Sequence, residues 1–169
     1  MPPAASPNGP GALQAEANAA ATGDIPDNQV FLVFRNSRAG YSVKYPEGWA
    51  QQGSGSAVVF RDKSNIVRIV VRAGGTPTRA AVQRDVGRLQ GASVVTAAKS
   101  ISVSGHPALK VVYSTQSAPN AVTGKRVTLV VDRYYLSNGG HRAVVDLGTP
   151  QGVDNVDAYR LMIESFRWR

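Results

Sequence analysis

Gly40-Tyr41-Ser42-Val43-Lys44-Tyr45-Pro46-Glu47-Gly48-Trp49 is the stretch on which the fold of this chain turns. Tyr41, Val43 and Tyr45 alternate with Ser42 and Lys44, and that period of two predicts a strand with one face inward and the other in water. Pro46 and Gly48 then turn the chain, the first through its fixed φ and the second through its tolerance of positive φ. Trp49 is expected to drop onto the core beside Tyr41 and Tyr45. Upstream, 30–35 is a second strand-like run, and Asn36-Ser37-Arg38-Ala39-Gly40 joins the two as a hairpin.

Short apolar runs punctuated by turn residues continue downstream. The segments 57–61 and 65–73 pair across Asp62-Lys63-Ser64. In the second, Val67, Ile69 and Val71 share one face, while Arg68 and Arg72 share the other. Three or four longer strands are expected over 93–104, 107–115, 125–136 and 141–148. Asn138-Gly139-Gly140 supplies the positive φ of a tight hairpin, so the last two strands should pair directly.

Two helices interrupt this order. The first is predicted over 77–90, with Thr76 as N-cap, Pro77 at the first helical position and Gly91 at the exit. Its Val82, Val86 and Leu89 form an apolar stripe opposite Arg79, Gln83, Arg84 and Arg88. Gly87 inside it is read as a point of close contact with the sheet. The second is predicted over 155–166 with Asp154 as N-cap, Asp157 near the positive helix end, and Val156, Tyr159, Ile163 and Phe166 on one stripe. Grouped strands with only two helices inserted argue for an α+β fold: an antiparallel sheet of about six or more strands flanked by helices, and not a parallel dinucleotide-binding sheet.

The motif at 40–49, an aromatic strand ending in a Pro-x-Gly-Trp turn, resembles the signature of the PsbP-like superfamily. So does the ending: Asp132-Arg133-Tyr134-Tyr135, a glycine hairpin, another strand, and a helix closing on Ser165-Phe166-Arg167. The resemblance covers residues 30–169. It implies a PsbP-like α/β/α sandwich and a habit of binding other proteins, with no shared catalytic residues, as in photosystem II extrinsic subunits, LpqN-type lipoproteins and a nuclear branch that binds the GTPase Ran. A protein partner, an extracytoplasmic location and a membrane anchor in the full-length form are what the resemblance leads one to expect. The Arg-rich, Lys-poor composition is more like that of an actinobacterial exported relative than a photosynthetic one.

Residues 1–29 are rich in Pro, Ala, Gly and Asn, and they lack an apolar periodicity able to dock on a core. They are expected to be a disordered tether, of the kind that joins a membrane anchor to an exported domain, ahead of a single domain at 30–169. No stretch reaches the roughly 18 apolar residues of a spanning helix. With no cysteine in the chain, disulfides and thiolate chemistry are excluded.

The charge of +8 hides an asymmetry. Three acids and no basic residue precede Val30, so the remainder holds 19 basic and 8 acidic residues, or +11. Arg68, Arg72, Arg79, Arg84 and Arg88 are the candidate patch for an anionic partner, whether an acidic protein or an anionic membrane surface. The plainer reading is a solvated face that keeps the domain soluble. Nucleic acid is not the expected partner, because no recognised module or interleaved aromatic and basic motif accompanies the charge.

Catalytic chemistry is sparse. His106 and His141 both sit beside turns. A hydrolase triad or a zinc site would have to recruit one or both, the second with an acid such as Asp146. Gly53-Ser54-Gly55 lacks the frame of a nucleophile elbow. Gly74-Gly75-Thr76-Pro77-Thr78 precedes a helix but lacks the Lys of a phosphate loop. No enzyme activity, cofactor or metal is expected, and the chain is read as a monomer. Two functions stand: a non-catalytic extracytoplasmic protein-interaction domain, or a carrier of a small hydrophobic or lipid-like ligand. A filled aromatic core favours the first, and an apolar pocket of roughly 300 Å³ or more favours the second.

Overall fold

The computed structural model describes residues 23–169; residues 1–22, and with them most of the expected tether, lie outside the described residues. Chain order is β1 (Phe31–Asn36), β2 (Tyr41–Pro46), β3 (Ala50–Gln52), β4 (Ala57–Asp62), β5 (Asn65–Ala73), α1 (Arg79–Gly87), β6 (Ser93–Val103), β7 (His106–Gln116), β8 (Thr128–Asn138), β9 (His141–Pro150), α2 (Val156–Ser165) and β10 (Arg167–Trp168). Every strand pair is antiparallel. The α+β architecture expected from the grouped strands is therefore the one that forms.

Seven strands make one sheet in the order β3-β4-β5-β9-β8-β7-β6, and β1-β2-β10 make a second, smaller one. Alternation along β8 shows how the large sheet serves two cores. Leu129, Val131 and Tyr135 pack with Val82 and Val86 of α1 on one face. Tyr134 and Leu136 point the other way, toward Tyr159, Met162 and Ile163 of α2 and toward Tyr41 and Val43 of the small sheet. Being buried on both sides, the central strands β8 and β9 read as nearly continuous apolar runs.

The turn at 46–49 does what its residues predict. Gly48 sits at a φ of 90°, and Trp49 is buried in the core that contains Tyr41 and Phe60, with Tyr45 packed against it. Tyr45 stacks on Phe60 at 4.5 Å between centroids, and Tyr41 stacks on Phe166 at 5.1 Å. Gly139 and Gly140 both take positive φ in the β8–β9 turn.

Several local expectations are corrected. Helix α1 begins at Arg79, not at Pro77, because the N-cap is Thr78, whose Oγ1 accepts from Ala81 N at 3.1 Å. Gly87 is exposed, and a Cβ there would meet open space, so close contact with the sheet is not what requires glycine. Helix α2 has Asn155 at its N-cap position. Asp154 Oδ1 instead accepts from Val156 N at 3.0 Å, and Val156, expected on the apolar stripe, is exposed.

The Asn155 side chain is committed elsewhere, to the residues just before β1. Its Oδ1 accepts from Ile25 N at 2.9 Å, and its Nδ2 donates to Gly23 O and to Asn65 Oδ1, each at 3.2 Å. Asn65 Nδ2 donates to the same Gly23 carbonyl at 2.6 Å, and Ile25 packs against the core. The described part of the segment assigned to the tether is thus seated on the domain from Gly23 onward. Two buried amides satisfy each other and this strap, as buried polar groups must.

Candidate functional site

Register across the α1 side of the large sheet places Arg68 of β5 opposite Asp146 of β9, and Asp146 opposite Arg133 of β8. Neighbours in such a row have Cβ atoms about 4.5–5.5 Å apart, so one acidic residue stands between two arginines along the row. Asp146 is taken by Arg133. Nε donates to Oδ1 at 2.7 Å and Nη2 to Oδ2 at 2.8 Å, a bidentate pair with both residues buried.

A network extends from this pair. The Arg133 guanidinium lies 5.5 Å from the centroid of Tyr113, and its Nη1 donates to Tyr135 Oη at 3.5 Å. Tyr135 Oη in turn donates to Asp85 Oδ2 of α1 at 3.1 Å. Burial alone would lower the pKa of Arg133, but the hydrogen bonds and charge of Asp146 raise it, so the guanidinium keeps its proton. Burial, followed by the nearby Asp146 charge, pushes the Tyr113 phenol upward. Burial likewise takes Tyr135 up to about 12. The centre of this face is therefore a locked assembly of neutral phenols and one compensated ion pair.

Beside it opens a groove of about 710 Å³. Tyr113, Leu129 and Val131 form its floor, and the chain between β7 and β8 stands along it as a wall. Internal bonds hold that wall: Ser117 N donates to Val127 O at 2.8 Å, and Val127 N donates to Ser117 Oγ at 3.0 Å. Asn120 Oδ1 accepts from both Val122 N and Thr123 N. The groove is lined by four basic residues, Arg61, Lys63, Arg68 and Lys125, and one carboxylate, Asp146. Since Asp146 is already bound to Arg133, the lining contributed by Arg61, Arg68 and Lys125 is cationic. Arg68 is exposed and forms no ion pair among the described residues.

The five arginines of the candidate patch fall into two groups. Arg68 and Arg72 project from β5 on the α1 side, Arg68 in the groove and Arg72 opposite Arg142. Arg79, Arg84 and Arg88 belong to α1 and its C-cap, with Arg79 Nη2 donating to Ser100 Oγ of β6 at 3.4 Å. Four strand spacings separate β5 from β6, about 19 Å. All five lie on one side of the sheet without converging on one point. Sequence reasoning passed over Arg61, Lys63 and Lys125. Arg61 was legible in principle, since it ends an alternating strand on the same face as Arg68; Lys125 comes from the intervening chain, which carries no periodic signal.

The histidines do not assemble with Asp146. His106 and His141 open β7 and β9, and both are exposed. Asp146 lies five residues along β9 from His141, about 17 Å away on an extended strand. Among the described residues no three His, Cys, Asp or Glu side chains group as metal ligands do. Among them, too, no helix is long and apolar enough to cross a membrane.

No family model matches the sequence, and no curated protein matches it. Solved structures do match in shape. The solution structure of cyanobacterial PsbP (CyanoP) from Synechocystis sp. PCC 6803 aligns at a TM-score of 0.56 and 17% identity, over 87% of this chain and 98% of that one. A crystal structure from Bacteroides thetaiotaomicron VPI-5482 aligns at 0.50 and 13%, over 80% of this chain and 47% of the other. LpqN, involved in cell envelope biogenesis of Mycobacterium tuberculosis, aligns at 0.47 and 14%, over 83% and 91%. At such identities the likeness is one of fold, and the fold is PsbP-like.

Proposed function

We propose that this chain is a non-catalytic, extracytoplasmic protein-interaction domain, membrane-tethered in its full-length form, that receives an acidic segment of a protein partner in the groove beside β5. The observation that carries the reading is the charge of the groove: Arg61, Arg68 and Lys125 line it, and the one lining carboxylate among the described residues is bonded to Arg133. Cations around a concave, low-dielectric wall focus their field on an incoming anion. Concavity favours a projecting chain segment over a flat bilayer, because the wall between β7 and β8 stands between a planar surface and the floor. The extracytoplasmic and tethered parts of the proposal rest on the PsbP-like motif at 40–49 and on the composition of the N-terminal segment.

The test is a titration with an oligoglutamate peptide at rising salt. Wild type should bind, and the affinity should fall steeply as the Debye length shrinks below about 8–10 Å. Arg61→Glu with Arg68→Glu should abolish binding, while Arg84→Glu with Arg88→Glu should leave most of it. Salt-independent binding, or a groove variant that binds like wild type, refutes the reading. Stronger attachment to phosphatidylserine vesicles that depends on Arg84 and Arg88 would make a membrane the partner instead.

A further inference from the structure

We propose a second binding site on the opposite face of the large sheet, for a small flat apolar molecule carrying one carboxylate. A pocket of about 290 Å³ lies where the β6–β7 and β8–β9 turns meet β10. Its walls are Val103, Leu136, Phe166 and Trp168, and its rim carries His106 and Arg167. Val103, Leu136 and Phe166 belong to the core on the α2 side, so this cavity is separate from the groove.

The aromatic wall is held in place before any ligand arrives. Phe166 stacks on Tyr41, and Trp168 meets Phe166 edge-on at 5.2 Å. Trp168 also pairs with Tyr41 in the β2–β10 ladder, and Arg169 N donates to Gly40 O at 2.7 Å. Such a wall offers a flat body contact without first having to be ordered.

Arg167 supplies the polar end. Its Nη1 donates to Glu164 O at 2.7 Å and to Phe166 O at 2.8 Å, with a longer contact to Ser104 Oγ at 3.4 Å. Those bonds fasten one corner of the guanidinium. The Nε–Nη2 edge makes no hydrogen bond, and the side chain forms no ion pair, among the described residues. An anchored guanidinium with one free edge has the geometry that recognises a carboxylate through two parallel bonds. The volume admits roughly ten non-hydrogen atoms, the size of a single ring with a short acid arm.

Phenylacetate is the probe and phenylacetamide its neutral control. Phenylacetate should bind saturably and shift the indole N–H resonance of Trp168, with little effect on that of Trp49. Phenylacetamide should bind at least about tenfold more weakly, as should phenylacetate to Arg167→Gln, while Arg167→Lys should recover part of the affinity. Because Arg167→Gln also loses the bonds to Glu164 and Phe166, its thermal midpoint is measured alongside, and Leu136→Phe, which fills the pocket without touching the rim, should abolish binding. Equal affinity for the acid and the amide, or shifts that avoid Trp168, would overturn the proposal.

Discussion

At the turn that leads from β2 to β3, Trp49 N donates to Pro46 O at 3.3 Å and the indole enters the core. Trp49→Ala should destabilise the domain by about 3–5 kcal/mol, the range for emptying a large aromatic site, and denaturant unfolding reads this directly. An unmoved midpoint would show that the surrounding side chains collapse into the space. That Trp49 would be buried was legible, because Pro46 and Gly48 leave the following residue little choice of direction. The role of Asp146 was not. As a letter in an apolar strand it looked available to a metal, and only the register of β9 against β8, set by the hairpin at 139–140, brings Arg133 to it.

Helix α1 is held on one face, with two of its nine residues buried. Two buried valines, Val82 and Val86, fasten it to the sheet together with the Tyr135–Asp85 hydrogen bond and two longer ones at 3.4 Å, Ala98 N to Gln83 Oε1 and Arg79 Nη2 to Ser100 Oγ, while Arg84 and Arg88 face water. Thr78→Ala removes the cap on Ala81 N and should cost about 1 kcal/mol. Amide exchange in 79–87 should quicken more than exchange in β8 or β9, since weakly packed segments open below the global free energy. Equal acceleration everywhere would mean that α1 unfolds only with the whole domain. Both helices were legible from their 3.6-residue stripes, but their first residues were misplaced by one or two positions, because Thr76 and Thr78 are equally good caps on paper. Strands β3 and β10 left no trace, being three and two residues long, too short to show alternation.

For the molecule as a whole, the tyrosines decide how it meets alkali. Tyr41, Tyr113, Tyr134, Tyr135 and Tyr159 are all raised, in each case first by burial, with Tyr134 and Tyr135 reaching about 12. The unfolded chain releases these protons near 10, where the native state still holds them, so the native state binds more protons above that value. Stability from this source is complete below about pH 10 and is lost as pH climbs toward about 12. Thermal midpoints should therefore hold level up to pH 10 and then drop steeply, with tyrosinate absorbance rising together with unfolding. Tyrosinate appearing well before unfolding would place those phenols in contact with water. The antiparallel α+β plan was legible from grouped strands and the 40–49 motif. The division into two sheets was not, because it depends on β2 pairing with β10 and not with β3, a choice that no local pattern encodes.

That pairing also sets a timetable. Strand β2 is made well before α2, and Lys44 N finds its partner in Ser165 Oγ, 121 residues later, while the Arg169 Nε–Ser42 Oγ bond spans 127. Contacts of such separation are slow to form because the intervening loop must close first. Until the segment beyond α2 has been made, Tyr41 lacks Phe166, and that part of the aromatic core stays open to solvent. Such a nascent chain has reason to need a holding chaperone at β2, long after the residues there have been read.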